Sequence, residues 1–391
     1  MVYLSTEYKK LGQYIRTVDI RNTDLVSMNL LGVSVKKQFI TSIANTVGTD
    51  FKKYKVVKKG QFTYIPDTSR RGDKIGIALL ENYEIGIVSN IYIVFEIIDT
   101  NQLMPEYLML WFSRPEFDRY ARFKSHGSVR EIFDWDEMCN VELPVPDIEK
   151  QRKIVKAYQT ITDRIALKQK INDNLEAMAQ ALFTSWFIDF EPFELDDNGF
   201  PLEWRKRTLN DKLTISTQSV NPQKMQDKFV WHYSIPAFDA EKLPVRDETE
   251  NILSNKYIVP NGALLVSKLN PETKRIWRTI PYFENAICST EFIVFSSKQP
   301  RHRDFYYFLF NTKKFVDFLV SNATGSTNSR MRVKPASSLN YEFICPDDKT
   351  IDSFCSKVKP LLDEIESNYL EIRKLNKLMP LVVAKMMSSS F

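Results

Sequence analysis

Apolar residues recur along this chain in two textures. Short runs rich in β-branched and aromatic side chains, such as Tyr92 to Ile98 and Glu291 to Phe295, predict strands. Amphipathic stretches at Pro105 to Arg122 and Arg303 to Ser321 predict short helices. Two longer stretches carry a 3-4 alternation. In the later one, Ile351, Phe354, Val358, Leu361, Ile365, Ile372, Leu375, Met379, Val382 and Met386 keep the spacing, with Asn368 in the one polar slot. In the earlier one the seam reads Ile154, Tyr158, Ile161, Ile165, Lys168, Asn172, Leu175, Ala179 and Leu182. The pattern predicts two long helices packed as an antiparallel coiled coil. Lys168, Asn172 and Asn368 are the candidate register-setting residues, because a buried asparagine in such a seam fixes register at some cost in stability. The alternative is that they simply reach solvent. Pro360 and Pro380 predict a kink or a restart in the second helix. Asp147 and Asp347, each after a proline, suit the first turn of each helix.

The same features occur twice. Gly60 ends a basic run and Gly262 a similar one, 202 residues later. Ile87 to Phe95 matches Ile287 to Phe295 at an offset of 200, Gly127-Ser128 matches Gly325-Ser326 at 198, and Leu143 to Asp147 matches Phe343 to Asp347 at 200. Ordered matches at a nearly constant offset indicate a duplication. The expected fold is α+β: two pseudo-repeated mixed α/β bodies, residues 1–146 and 203–346, with long helices at 147–186 and 347–391. The acidic stretch 187–202 carries Pro and Gly without periodicity and reads as a connector.

Chemistry narrows the picture mostly by what is missing. The chain has 391 residues, 43% hydrophobic and 26% charged, which excludes wholesale disorder. Eleven glycines make a phosphate-cradling loop fold a poor fit, and no Walker A or G-x-G-x-x-G motif occurs. The three histidines, His126, His232 and His302, form no zinc pair, and no G-x-S-x-G elbow exists. Cys139, Cys288, Cys345 and Cys355 lack paired spacing, which points to a reducing compartment. No run is long and apolar enough to span a bilayer, and residues 1–10 lack the core of a signal peptide, so a cytoplasmic protein is expected. A nuclease reading would take Asp67 with Asp73-Lys74, or Asp347-Asp348-Lys349, as a metal site; such neighbours are also common in turns and caps. The net charge of +5 is too small to name a partner.

What both bodies carry is a pair of polar, basic loops beside strands. The first body offers Tyr64, Arg70, Arg71 and Lys74 in one loop and Lys124, Ser128 and Arg130 in the other. The second offers Ser267, Lys268, Asn270, Lys274 and Arg275, then Ser326, Asn328, Arg330, Arg332 and Lys334. These residue types are the partners that phosphates and base edges require. Solvated surface loops are the competing reading.

Ser185-Trp186-Phe187-Ile188-Asp189-Phe190-Glu191-Pro192, Leu143-Pro144-Val145-Pro146-Asp147-Ile148-Glu149-Lys150-Gln151, and Leu265-Val266-Ser267-Lys268-Leu269-Asn270-Pro271 followed by Arg275-Ile276-Trp277 resemble the specificity subunit of Type I restriction–modification systems over essentially the whole chain. The second helix start, Pro346 to Thr350, departs from the pattern by lacking Glu-x-Gln. The resemblance implies two target recognition domains, each reading one half of a split, asymmetric double-stranded DNA site. It implies helices that dock two methylation subunits, with restriction subunits able to join. It also implies no catalysis in this chain: S-adenosylmethionine, ATP and Mg belong to the partner subunits. No metal site is expected in this chain, and no membrane partner. Bodies on one face of a duplex would sit about one helical turn apart, roughly 34–36 Å. Two other classes stay open on the residues alone, a metal-dependent nuclease with a cryptic site and a coiled-coil scaffold without DNA binding.

Overall fold

A computed structural model describes residues 8–27, 29–42, 48–68, 74–126, 131–280, 283–325 and 331–388. The chain divides into two compact units, residues 1–165 with 374–391, and residues 166–373. Each unit takes a share of both long helices.

In the first unit, the strands Ile15–Val18, Ile93–Ile97, Phe62–Tyr64 and Ile77–Leu79 form an antiparallel sheet in that order. Tyr8–Lys10 pairs with Glu142–Pro144, and Lys55–Lys58 with Ile85–Val88. Its core is aromatic. Phe62 stacks on Phe95 at 4.9 Å, and Phe112 meets both rings edge-on. Alternation puts these rings on one face of the sheet, where helix Pro105–Phe112 covers them.

The second unit repeats that plan. Leu213–Ser216, Phe292–Ser297, Leu264–Ser267 and Ile276–Arg278 form a sheet with the same order and directions. Arg205–Thr208 pairs with Glu342–Cys345, as Tyr8–Lys10 does with its partner. Beside it lies a five-stranded sheet in the order Ser219–Val220, Lys256–Ile258, Ala286–Ser289, Phe229–Tyr233, Val245–Glu248. Gly60 and Gly262 take φ of +84° and +76° at the matching turns before the central strand, a conformation that costs a side chain-bearing residue energy.

Each predicted short helix is in fact two. Pro115 starts a new helix after Phe112, because Arg114 before it is held extended. In the repeat, Thr312 separates Arg303–Phe310 from Lys313–Ser321 and caps the latter by accepting from the Phe315 N–H at 3.3 Å.

The long helices span Ile148–Phe187 and Asp348–Ser388. Asp147 Oδ1 accepts from the Lys150 N–H at 2.9 Å, and Asp347 Oδ1 from the Thr350 N–H at 3.0 Å, so both aspartates cap as expected. The expected restart at Pro360 or Pro380 does not occur, and the helix runs unbroken through both. Proline forfeits one backbone bond there, while Val358, Leu362 and Ile365 bury the face flanking Pro360. The starts differ as their sequences do. Gln151 is fully buried, donating to Gln102 O and Pro146 O and accepting from the Met104 N–H, all at 2.8–2.9 Å. Its repeat position is Ile351. There Asp348 holds the start instead, accepting from Gln299 at 2.7 Å and pairing with Lys212.

Within the second unit the two helices run antiparallel. Asn172 lies opposite Asn368, and Phe183 and Phe187 lie against Phe354. The seam residues named above are buried or half-buried, and only the Met386 side chain falls outside the described residues. The seam's polar residues do not reach for solvent: Asn172 is 3% and Asn368 1% exposed. Asn368 Nδ2 donates to Asn172 Oδ1 at 2.9 Å, and Lys168 Nζ donates to Asn368 Oδ1 at 2.6 Å. Lys168 also pairs with Glu371 at 2.8 Å. Each polar group thus finds its partner only in one alignment of the helices. In the first unit, Val383 of the second helix joins the core with Ile154 and Val155 of the first.

Two measurements check this packing. Asn368→Ala takes away the amide that partners both Asn172 and Lys168 in a buried polar layer and should lower stability by about 1–3 kcal/mol in urea denaturation; an unchanged midpoint would show the layer to be idle. His232 and His302 are both pushed below the usual histidine value by burial, against the opposing pull of Asp247 and Asp352. Above about pH 6.5 both rings are neutral in folded and unfolded chains alike; below it the unfolded chain takes up protons first. Stability should therefore fall as pH drops below about 6.5, measured by thermal melts, and the double variant H232Q/H302Q should flatten that slope.

Candidate nucleic-acid interface

In the first unit, one candidate loop leaves the strand Phe62–Tyr64 and the other leaves the helix Pro115–Lys124. The backbone joins them. The Thr68 N–H donates to Glu131 O at 3.0 Å, and the Phe133 N–H to Pro66 O at 2.9 Å. Thr68 Oγ1 lies 2.9 Å from Ser125 Oγ. In the second unit the equivalent loops are joined the same way. The Asn270 N–H donates to Met331 O at 2.8 Å, and the Val333 N–H to Lys268 O at 3.0 Å. Segments over 60 residues apart in sequence therefore form one surface patch in each unit, at matching places in the duplicated sheet.

The side chains of these loops divide into three groups. Lys74, Lys274 and Lys334 are exposed, while Lys268 and Lys124 are half-buried, Lys124 lying 3.9 Å from Glu137. Arg275 and Arg332 carry carboxylate partners. Arg275 forms a two-pronged pair with Asp239 at 2.7 and 2.9 Å, and Arg332 another with Glu291 at 3.1 and 3.2 Å. The hydrogen bonds that Arg332 donates to Glu291 raise its pKa above the usual range. Such pairs hold a guanidinium plane in a fixed direction, a geometry suited to phosphate or base-edge recognition. Asn270 sits at φ +49°, with Nδ2 donating to Thr273 Oγ1 at 3.2 Å, which braces the tip of its loop.

Two expectations are corrected. Tyr64 is fully buried among Phe95 and Phe133, because alternation along a central strand points it into the core. Its hydroxyl has no hydrogen-bond partner among the described residues, and burial pushes its pKa well up. Ser267 is 2% exposed and its hydroxyl donates to Leu269 O at 2.8 Å, closing the turn out of the strand. Neither side chain is on the surface. Arg70, Arg71, Ser128, Arg130, Ser326, Asn328 and Arg330 lie outside the described residues. Sequence reading also missed Glu291 and Asp239. Both are remote in sequence from the arginines they hold, and acid residues attract no attention in a search for basic loops.

The carboxylates of the nuclease reading have structural work at the second helix start, where Asp347 caps the first turn and Asp348 binds Lys212 and Gln299. Among the described residues no group of three or more His, Cys, Asp or Glu could hold a metal ion, and no helix is long and apolar enough to cross a membrane.

Known proteins resemble this chain in sequence and in fold. Residues 5–177 match the family profile described as the Type I restriction modification DNA specificity domain. The chain is 26% identical over 309 residues to the Type I restriction enzyme MjaIX specificity subunit of Methanocaldococcus jannaschii, covering 74% of this chain and 70% of the relative. It is 31% identical over 172 residues to the HindI specificity subunit of Haemophilus influenzae, covering 43% of this chain and 37% of that protein. In fold it is similar to the crystal structure of the Type I restriction–modification S subunit from M. genitalium, with a TM-score of 0.56, 11% identity, and 98% and 96% of the two chains covered.

Lys274→Ala and Lys334→Ala should each lower the slope of log affinity for DNA against log salt by about 0.9, as the loss of one phosphate contact does. Tyr64→Phe should leave that slope alone and hold or raise the melting temperature, because it removes only an unpartnered buried hydroxyl. A salt slope changed by Tyr64→Phe would return that residue to the interface.

Proposed function

We propose that the chain, whose residues 5–177 match the profile of the Type I restriction modification DNA specificity domain, selects the DNA sequence on which a Type I restriction–modification complex acts. The observation that carries the reading is the duplication of one surface patch, two loops joined backbone to backbone, on two bodies of the same topology. Duplicated patches with different side chains suit a split site whose halves differ. Backbone hydrogen bonds hold each loop pair in place, so lysines reach phosphates while braced arginines and asparagine read base edges.

The long helices serve as spacer and dock. A helix of 40 residues is about 60 Å long, more than the roughly 34–36 Å between sites one turn apart on a duplex. Exposed apolar side chains on the helices, Leu167 and Met178 at 60% each, support docking of partner proteins. On this reading two methylation subunits bind the helices, and restriction subunits add to them. The methyl donor S-adenosylmethionine, and ATP and Mg, act in those partners; this chain contributes no catalytic group and works in the cytoplasm. The partner, which does the chemistry, takes the target base out of the stack. The specificity chain holds the duplex in register.

Alanine at Lys74 should weaken the reading of one half-site only, and alanine at Lys268, Lys274 or Arg332 the other. Selection of bound duplexes from a random library by the full chain with its methylation subunits measures this. Loss spread evenly over both halves would contradict the assignment.

A further inference from the structure

The second body is fastened to both long helices by buried charge. Arg278, the last residue of the strand Ile276–Arg278, is 12% exposed at its side chain. Its Nε donates to Asp304 Oδ1 at 2.8 Å, and its Nη1 to Glu366 Oε2 at 3.2 Å. Asp304 belongs to the body; Glu366 belongs to the second long helix. Arg303 adds a second guanidinium on Asp304 at 3.1 Å. Towards the first long helix, the Tyr307 hydroxyl donates to Glu176 Oε1 at 2.6 Å. A third tie is Arg373, whose guanidinium lies over the rings of Trp231 and Phe283 and donates to Pro244 O.

The two arms of the Arg278 bridge differ in strength. Burial opposes the charge on Asp304, yet Arg278 and Arg303 hold its pKa below the usual carboxylate value. At Glu366 burial outweighs the pull of Arg278 and the pKa rises. The body-side contact is also the shorter, at 2.8 Å against 3.2 Å to the helix, and Asp304 takes a second guanidinium from Arg303. Buried ionic bridges of this kind contribute little net stability, because desolvation offsets the attraction. What a planar guanidinium with two partners does fix is direction.

Arg278 is also placed to transmit that direction. It lies three residues after Arg275, on the strand into which the loop carrying Lys268, Asn270, Lys274 and Arg275 runs. The first repeat lacks the device. Sheet register puts Leu79 where Arg278 stands, since Phe62 pairs with Leu79 as Leu264 pairs with Arg278. At an offset of 200, Ala166 stands where Glu366 does.

We propose that Arg278 is a positioning residue that fixes the angle of the second reading surface on the long helices, and thereby the spacer length between half-sites that the protein accepts. The proposal rests on the reading of the helices as a spacer.

Modified-base sequencing of the source strain carrying Arg278→Ala, Arg278→Lys or Glu366→Gln tests it in the native complex. Arg278→Ala should raise modification at sites with a spacer one base pair longer or shorter by about tenfold, the scale of a typical coupling between distant sites, with the bases of both half-sites unchanged. Arg278→Lys should restore part of the spacer preference, and Glu366→Gln should shift it in the same direction by less. A uniform fall in modification with the spacer preference intact, or a changed base in the second half-site, would overturn the proposal. If Arg278→Ala prevents folding, Glu366→Gln decides alone, a preserved spacer preference counting against it. A wild-type strain with no split motif that depends on this chain would instead sink the functional reading beneath it.

Discussion

The layer formed by Lys168, Asn172, Asn368 and Glu371 sets one alignment of the two long helices. An all-apolar seam would bind more tightly, yet it would tolerate sliding by a heptad. Here a slide would strand two buried amides and a lysine without partners, at a cost several times that of any single exposed contact. The layer lies near Lys170 and Leu370, which stand at the 200-residue offset of the repeat. Register at that point decides which body residue meets which helix residue elsewhere. Tyr307 can reach Glu176, and Arg278 can reach Glu366, only in that alignment.

Much of this was legible in the chain itself, and the reason is periodicity. The 3-4 alternation, the polar interruptions and the offset near 200 are properties of residue spacing, and a helix or a sheet turns spacing directly into geometry. The capping aspartates were visible for the same reason, being defined by local sequence. Pro360 misled because a local rule gives only the price of one lost backbone bond. It does not count the buried apolar face that holds the helix on either side. Pro115 and Thr312 were missed in the opposite direction, as breaks small enough for the apolar pattern to run across them.

The interface was half legible. Which loops are candidates for a DNA interface followed from their repetition. Which side chains point outward did not, because that depends on strand phase and on partners distant in sequence. Tyr64 and Ser267 both end strands, and their last position faces inward. Asp239 lies 36 residues from Arg275, and Glu291 41 from Arg332. No window on the sequence joins them. The Arg278 bridge is likewise invisible without the fold, since its members lie on a strand, a short helix and a long helix. The two domains thus share a plan that the sequence repeats. They differ in the charged contacts that give the second a fixed seat.

The central claim is that this chain chooses where DNA is modified. Sequencing modified bases in the source genome, with and without the chain, tests it most directly. Deletion should erase one split, asymmetric motif and leave every other modified motif in place. Survival of all modified motifs in the deletion strain would contradict the account.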